Sequence, residues 1–127
     1  MDERQRHRRG MTVRRAVLGD AYVDAALRSR TGLDEDFQDL ITRYAWGEIW
    51  SRPGLDRKTR SCMVLTAMIA LGHWDEFRMH VRAAFNNGLT EVEIKEVILQ
   101  SAIYSGVPAA NHAFKEAAAV IAERSRP

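Results

Sequence analysis

The sequence predicts an all-α protein, a compact bundle of about six helices, on three observations. Apolar stripes at helical spacing recur along the 127-residue chain, and alternating β-type runs bounded by turn residues do not. The breaks between stripes carry helix-stop or helix-start residues. The connections are short, which suits antiparallel neighbours in a bundle.

Residues 1–13 read as a charged N-terminal arm. Six of the 19 basic residues, Arg4, Arg6, Arg8, Arg9, Arg14 and Arg15, fall in the first fifteen positions, diluted by Asp2 and Glu3. Clustered arginines can neutralise phosphates, but the chain lacks a basic recognition helix or an aromatic stacking platform. The expectation is therefore no nucleic-acid partner and a solvated arm that packs on a partner subunit.

The first helix is expected over 14–29, with Val17, Leu18, Tyr22, Ala25 and Ala26, lapsing from Ser29 to Gly32. The second follows Asp34 with Phe37, Leu40, Ile41, Tyr44 and Ile49 spaced at three, four and five residues. It ends near Ser51, because Arg52-Pro53-Gly54 disfavours helix before the proline and then supplies a turn. Asp56 can cap the third helix, which is apolar nearly all round from Met63 to Leu71 and so belongs mid-bundle or at a subunit interface. The fourth starts near Asp75 and stops at Asn86-Asn87-Gly88, a left-handed cap. Thr90 and Glu93 form a capping box that opens the fifth helix through Ile94, Val97, Ile98 and Ala102. Gly106-Val107-Pro108 closes it and starts the sixth, alanine-rich from Ala109 to Ala122.

Size and composition bound the rest. At 46% hydrophobic and 28% charged residues, with a net charge of +2, residues 1–127 suit one globular domain without internal repeats. The single cysteine, Cys62, lies in an apolar run and suits a small core residue in a reducing compartment. That run is too short to span a membrane, and no apolar segment follows the charged N-terminus, so a cytoplasmic protein with no membrane partner is expected. No Gly-rich phosphate loop or dinucleotide fingerprint is present, and no cofactor is expected.

The stretch from His73 to Gly88 concentrates the chemistry. At roughly 100° per residue, Glu76 and His80 lie about 40° apart on one helix, beside the stripe Phe77, Val81, Ala84 and Phe85. A titratable pair at the edge of a core helix can move protons if burial and mutual contact bring both groups toward neutrality. The plainer reading of His80 is a packed histidine bonded to a backbone carbonyl, and of Glu76 a solvated i,i+4 partner. His73, Glu76, His80 and His112 are metal-ligand types, but H-x-x-E-x-x-x-H is not an established zinc pattern, so no metal is expected. A second cluster holds Trp46, Glu48, Trp50 and Arg52, with Tyr104 and His112 further on. Its plain reading is Trp46–Trp50 packing and an exposed Glu48–Arg52 pair.

Four words carry a resemblance: Gly10-Met11-x-Val13-Arg14-Arg15-x-Val17-Leu18-Gly19-Asp20-Ala21; Trp46-Gly47-x-x-Trp50-x-Arg52-Pro53-Gly54-Leu55; Glu76-x-x-x-His80-x-x-Ala83-Ala84-x-x-Asn87-Gly88; and Tyr104-x-Gly106-Val107-Pro108-Ala109-Ala110. In this order they resemble the 4-carboxymuconolactone decarboxylases, relatives of the alkylhydroperoxidase D-like proteins. The resemblance implies an all-helical alkylhydroperoxidase D-like fold, a homo-oligomer built as a trimer-based hexamer, no cofactor, and a step in the protocatechuate branch of the β-ketoadipate pathway. The wider superfamily's Cys-x-x-Cys-x-x-x-His pattern aligns with His73-x-x-Glu76-x-x-x-His80. Both thiols are absent, so thiol peroxidase chemistry does not carry over.

The implied reaction converts a small lactone, a dicarboxylate or tricarboxylate, to 3-oxoadipate enol-lactone plus CO2. It assigns catalysis to His80, as proton donor or oxyanion partner, and to Glu76, which orients or recharges it. Substrate binding is assigned to Arg52, Arg78, Glu48, Tyr104 and His112, with Arg78 the less secure carboxylate clamp because helix periodicity points it away from His80. Two other classes stay open: a different cofactor-free lactone isomerase or lyase that keeps the Glu76/His80 pair, and a non-catalytic helical oligomer of the same fold.

Overall fold

The computed structural model describes residues 1–126; Pro127, the last residue of the expected 1–127 domain, lies outside them. The described residues are all-helical, with seven α-helices and one π-helical segment. They divide into two compact units, Met1–Arg57 and Lys58 onward, and each is taken in turn.

In the first unit α1 spans Glu3–Leu18, α2 Asp20–Arg28 and α3 Glu35–Ile41, and the π-helical segment Thr42–Ile49 continues α3. The stretch expected as a charged arm is thus helical. Asp2 accepts from the Gln5 amide at 2.8 Å, and the Gln5 side chain accepts in return from the Asp2 amide at 2.8 Å. This reciprocal cap satisfies backbone donors that the arm reading left to water. Gly10, Val13, Arg14, Val17 and Leu18 are buried along α1, so its arginine-rich stretch is one flank of an amphipathic helix. The single helix expected over 14–29 is broken at Gly19, whose φ of 90° only glycine adopts readily. The count therefore exceeds six.

The α3 and π-helical stripe turns outward. Phe37, Leu40, Tyr44 and Ile49 are exposed, and the buried positions are Thr42, Trp46 and Gly47. The wider π turn changes which residues share a face, and the five-residue step from Tyr44 to Ile49 was its only trace in the sequence. Trp46 and Trp50 do pair, with centroids 5.3 Å apart. The π-helical segment lies close against α1. An ideal Cβ on Gly10 would fall 1.8 Å from the Thr42 carbonyl oxygen, and one on Gly47 would fall 2.5 Å from that of Arg6. Arg14, 4% exposed, donates to Gln38 Oε1 at 3.0 Å and Thr42 Oγ1 at 3.3 Å, where α3 passes into the π segment.

In the second unit α4 spans Arg57–Leu71 (its first residue closing the first unit), α5 Trp74–Asn86, α6 Glu91–Ser105 and α7 Val107–Arg124. The punctuation behaves as expected. Gly88 has φ 93° after α5, Thr90 and Glu93 cap α6 reciprocally at 3.0 and 3.1 Å, and Pro108 occupies the first turn of α7. The core draws Leu65 and Ile69 from α4, Phe77 and Val81 from α5, Ile94 and Ile98 from α6, and Ala113 and Val120 from α7. Small alanines on α7 let it lie close to α5 and α6. Cys62 packs, half-buried, against this core. Of α4 only Ser61, Leu65 and Ile69 are buried, while Met63 and Leu71 are exposed, so the nearly all-apolar helix is not enclosed within one chain. No helix among the described residues is long and apolar enough to cross a membrane.

Candidate active site

His80 lies on α5 between a buried side and an exposed one. Phe77, Val81 and Ala84 form the fully buried face; His80 flanks it at 8% exposure, and Glu76 one turn earlier is exposed. The imidazole does not titrate near neutrality. Burial pushes it down from 6.5 to about 4, and the opposing pull of the Glu76 charge is the smaller effect. At pH 7 it is neutral, able to donate one N–H hydrogen bond but not to surrender a proton until an added negative charge raises its basicity.

This depression makes a prediction for stability. The unfolded imidazole takes up its proton near 6.5 and the folded one near 4, so between those values the unfolded chain binds more protons and stability rises with pH. His80 contributes fully above about pH 6.5, and the contribution is lost as pH falls through about 4; the span corresponds to about 3 kcal/mol. Urea unfolding of wild type and His80→Gln at pH 7.5 and 4.5 should show a smaller acid loss in the variant. Equal losses would contradict the buried neutral imidazole.

The opposite flank of α5 carries a separate cluster. Arg78 lies about 200° around the helix from His80. Its guanidinium is engaged by Asp75 and by Glu116 of α7, the latter at 2.6 Å. Glu116 also meets His112 Nε2 at 3.1 Å, and the His112 ring stacks flat on Trp74, centroids 4.0 Å apart and 7° from parallel. Arg78 beside it holds the Glu116 carboxyl below its usual range, reinforced by His112. Two residues expected at the substrate, Arg78 and His112, are therefore grouped with each other through Glu116. Sequence reasoning missed Trp74 and Glu116 as their partners. Tyr104, on α6, is 83% exposed.

In the first unit, Glu48 and Arg52 meet at 3.5 Å as the expected i,i+4 pair. Glu48 also accepts from Arg6, a contact no sequence pattern announced. Among the described residues no three His, Cys, Asp or Glu side chains gather as a metal site. A concavity between α6 and α7, bordered by Ile94, Lys95, Ile98, Phe114 and Ile121, includes neither His80 nor Glu76. Its mainly apolar walls offer little to a substrate bearing two carboxylates.

Comparison with known proteins agrees with the words quoted from the sequence. The family model described as the carboxymuconolactone decarboxylase family matches residues 35–119, about two thirds of the chain. A 4-carboxymuconolactone decarboxylase of Acinetobacter baylyi is 50% identical over 113 residues, 89% of this chain and 84% of that protein. A nitrosuccinic acid decarboxylase of Metarhizium robertsii is 49% identical over 106 residues, 80% of this chain and 74% of that protein. A 4-carboxymuconolactone decarboxylase of Pseudomonas putida is 54% identical over 48 residues, 38% of this chain and the whole of that sequence. The chain belongs to the carboxymuconolactone decarboxylase family.

Proposed function

We propose that this protein is a carboxy-lyase that converts 4-carboxymuconolactone to 3-oxoadipate enol-lactone and CO2 within aromatic-acid catabolism in the cytoplasm. The observation that carries this is the 50% identity to the Acinetobacter enzyme of that name along 89% of the chain. The substrate's departing carboxylate sits on a ring carbon joined through a C=C bond to the lactone carbonyl. As the C–C bond to CO2 breaks, its electron pair delocalises into the ring as a dienolate, and a proton then adds to the ring carbon next to the carbonyl. The lactone is its own electron sink.

The buried neutral His80 suits the two stages of that sequence. Its N–H donates a hydrogen bond to the lactone oxygen as negative charge builds there, in a site poor in competing water. The same charge raises the imidazole's basicity, drawing in the proton that the ring carbon then receives. Glu76, exposed one turn away, recharges it from solvent. Arg52, its side chain 60% exposed, takes a substrate carboxylate in preference to Arg78, which is 32% exposed and held by Asp75 and Glu116. A homo-oligomer, trimer-based, belongs to the same proposal and is supported by the exposed Phe37, Leu40, Met63 and Leu71.

A second reading, a nitrosuccinate decarboxylase, is favoured by the 49% identity to the Metarhizium enzyme. Its named substrate is also a small acid with two carboxyl groups, one of them on the carbon that bears an electron-withdrawing group. Purified protein should consume 4-carboxymuconolactone with release of CO2, unaffected by EDTA, and faster than nitrosuccinate under the same conditions. A clear preference for nitrosuccinate would install the second reading, and loss of activity in EDTA with recovery on adding zinc would defeat the metal-free chemistry. The same preparation should scatter light as an oligomer; a monomer at micromolar concentration would remove that part.

A further inference from the structure

The contacts of α1 with the π-helical segment assign a role to Arg6, a residue far in sequence from any candidate catalytic group. We propose that Arg6 is a positioning residue that, through Glu48, holds the Arg52 guanidinium in place to receive a carboxylate of the substrate. The inference rests on the reading that the substrate is a small dianion, and it is confined to the first unit.

Glu48 stands between two guanidiniums and uses a different oxygen for each. Oε2 accepts from Arg6 Nη1, and Oε1 lies 3.5 Å from Arg52 Nη1. Exposure rises along this chain of three, from 20% at the Arg6 side chain through 38% at Glu48 to 60% at Arg52. The order runs from an anchored inner cation to an outer one that solvent and small anions can reach. A long arginine side chain in water samples many rotamers, and a carboxylate fixed on its inner side restricts them before any ligand arrives.

Arg6 is suited to anchor because it is itself held on several sides. Its Nε donates to Glu3 at 3.2 Å, and its guanidinium lies over the Tyr44 ring, 5.3 Å from the centroid. The Tyr44 hydroxyl in turn donates to the other oxygen of Glu3 at 2.8 Å. The two glycines make the arrangement possible. Gly47 brings the backbone of the residue before Glu48 against the Arg6 carbonyl, and Gly10 does the same one turn along α1. Arg43, with Nε 3.4 Å from Glu3, adds a third guanidinium to the cluster. Stability is a poor explanation for so extended a chain, since exposed ion pairs contribute little to it. The π-helix also places Glu48 on a segment type that recurs at functional sites.

The test is a double-mutant cycle on the purified full-length protein, reading KM and kcat for 4-carboxymuconolactone and nitrosuccinate. Arg6→Ala and Arg52→Ala should each raise KM by about tenfold, the loss of one well-placed charged contact, with kcat changed less than twofold. The double variant should be no worse than Arg52→Ala alone, because Arg6 acts only through Arg52. Arg6→Lys should recover part of the loss. Arg9→Ala is the control: it removes the 2.6 Å contact from Arg9 to Ser51, another tie from α1, and should leave KM unchanged. An unchanged KM in Arg6→Ala, equal rises in Arg6→Ala and Arg9→Ala, or additive effects in the double variant would each overturn the proposal. If wild type turns over neither substrate, the proposed function fails by itself. The positioning role is then read by calorimetry with succinate as the probe, which Arg6→Ala and Arg52→Ala must weaken alike; no binding to wild type, or equal binding to all, overturns it.

Discussion

His80→Ala should lower kcat by roughly 10²–10⁴-fold, the usual worth of a positioned proton-transfer group, in a protein that remains folded. The imidazole is the one ionisable group on α5 that combines burial with a carboxylate one turn away, and burial leaves it neutral. Because the side chain is buried, alanine also leaves a cavity, so His80→Gln serves as the companion variant. It fills most of the space and keeps an N–H donor, but cannot carry the proton, and its kcat should lie between wild type and His80→Ala. Glu76→Gln should be intermediate if Glu76 only recharges the imidazole, and as low as His80→Ala if Glu76 delivers the proton itself. Cys62→Ser should leave kcat nearly intact, since the thiol packs against the core and has no second cysteine for redox work. Near-normal turnover in a folded His80→Ala protein would return His80 to a packing role.

Gly10→Ala should destabilise the protein by about 3 kcal/mol or more, among the larger costs of overpacking. Helix propensity alone points the other way, since alanine in a helix is favoured over glycine by about 1 kcal/mol. The added methyl, however, would sit 1.8 Å from the Thr42 carbonyl oxygen, 2.8 Å from its carbon and 3.0 Å from the Gly47 nitrogen. These are backbone atoms, so no rotamer change relieves the clash, and α1 must move off the π-helical segment. Gly32→Ala is the control, because nothing lies within 4 Å of its added carbon. Thermal melts should show a large drop in Tm for the first variant and a small change for the second. A Gly10→Ala protein as stable as wild type would mean that the two helices are not in backbone contact. If α1 shifts, Arg6 leaves Glu48, so the same variant should also raise KM.

The sequence by itself determined the helical class, most helix ends and the family. Helix ends are legible because their causes are local. Thr90 and Glu93 close a capping box across three residues, Gly88 supplies a positive φ at the end of α5, and Pro108 fits a first turn that needs no amide hydrogen. The family was legible because long words such as those around Glu76 and His80 stand in one order. The helicity of the first thirteen residues was missed because a dense run of arginines hid the Gly10, Val13 and Val17 face behind it.

Only the tertiary structure decided what those residues can do. The fall of His80 to about 4 depends on how many distant atoms exclude water from it, a sum that one helix's periodicity does not contain. Helix periodicity already turned Arg78 away from His80, but not what it meets instead: Glu116, 38 residues later, claims it. Arg6 and Glu48 are 42 residues apart, and they meet because Gly10 and Gly47 let two backbones approach more closely than any side chain would allow. Contacts of that range follow from packing geometry, which depends on the shape of every surface in the interface and is therefore written in no single segment of the chain.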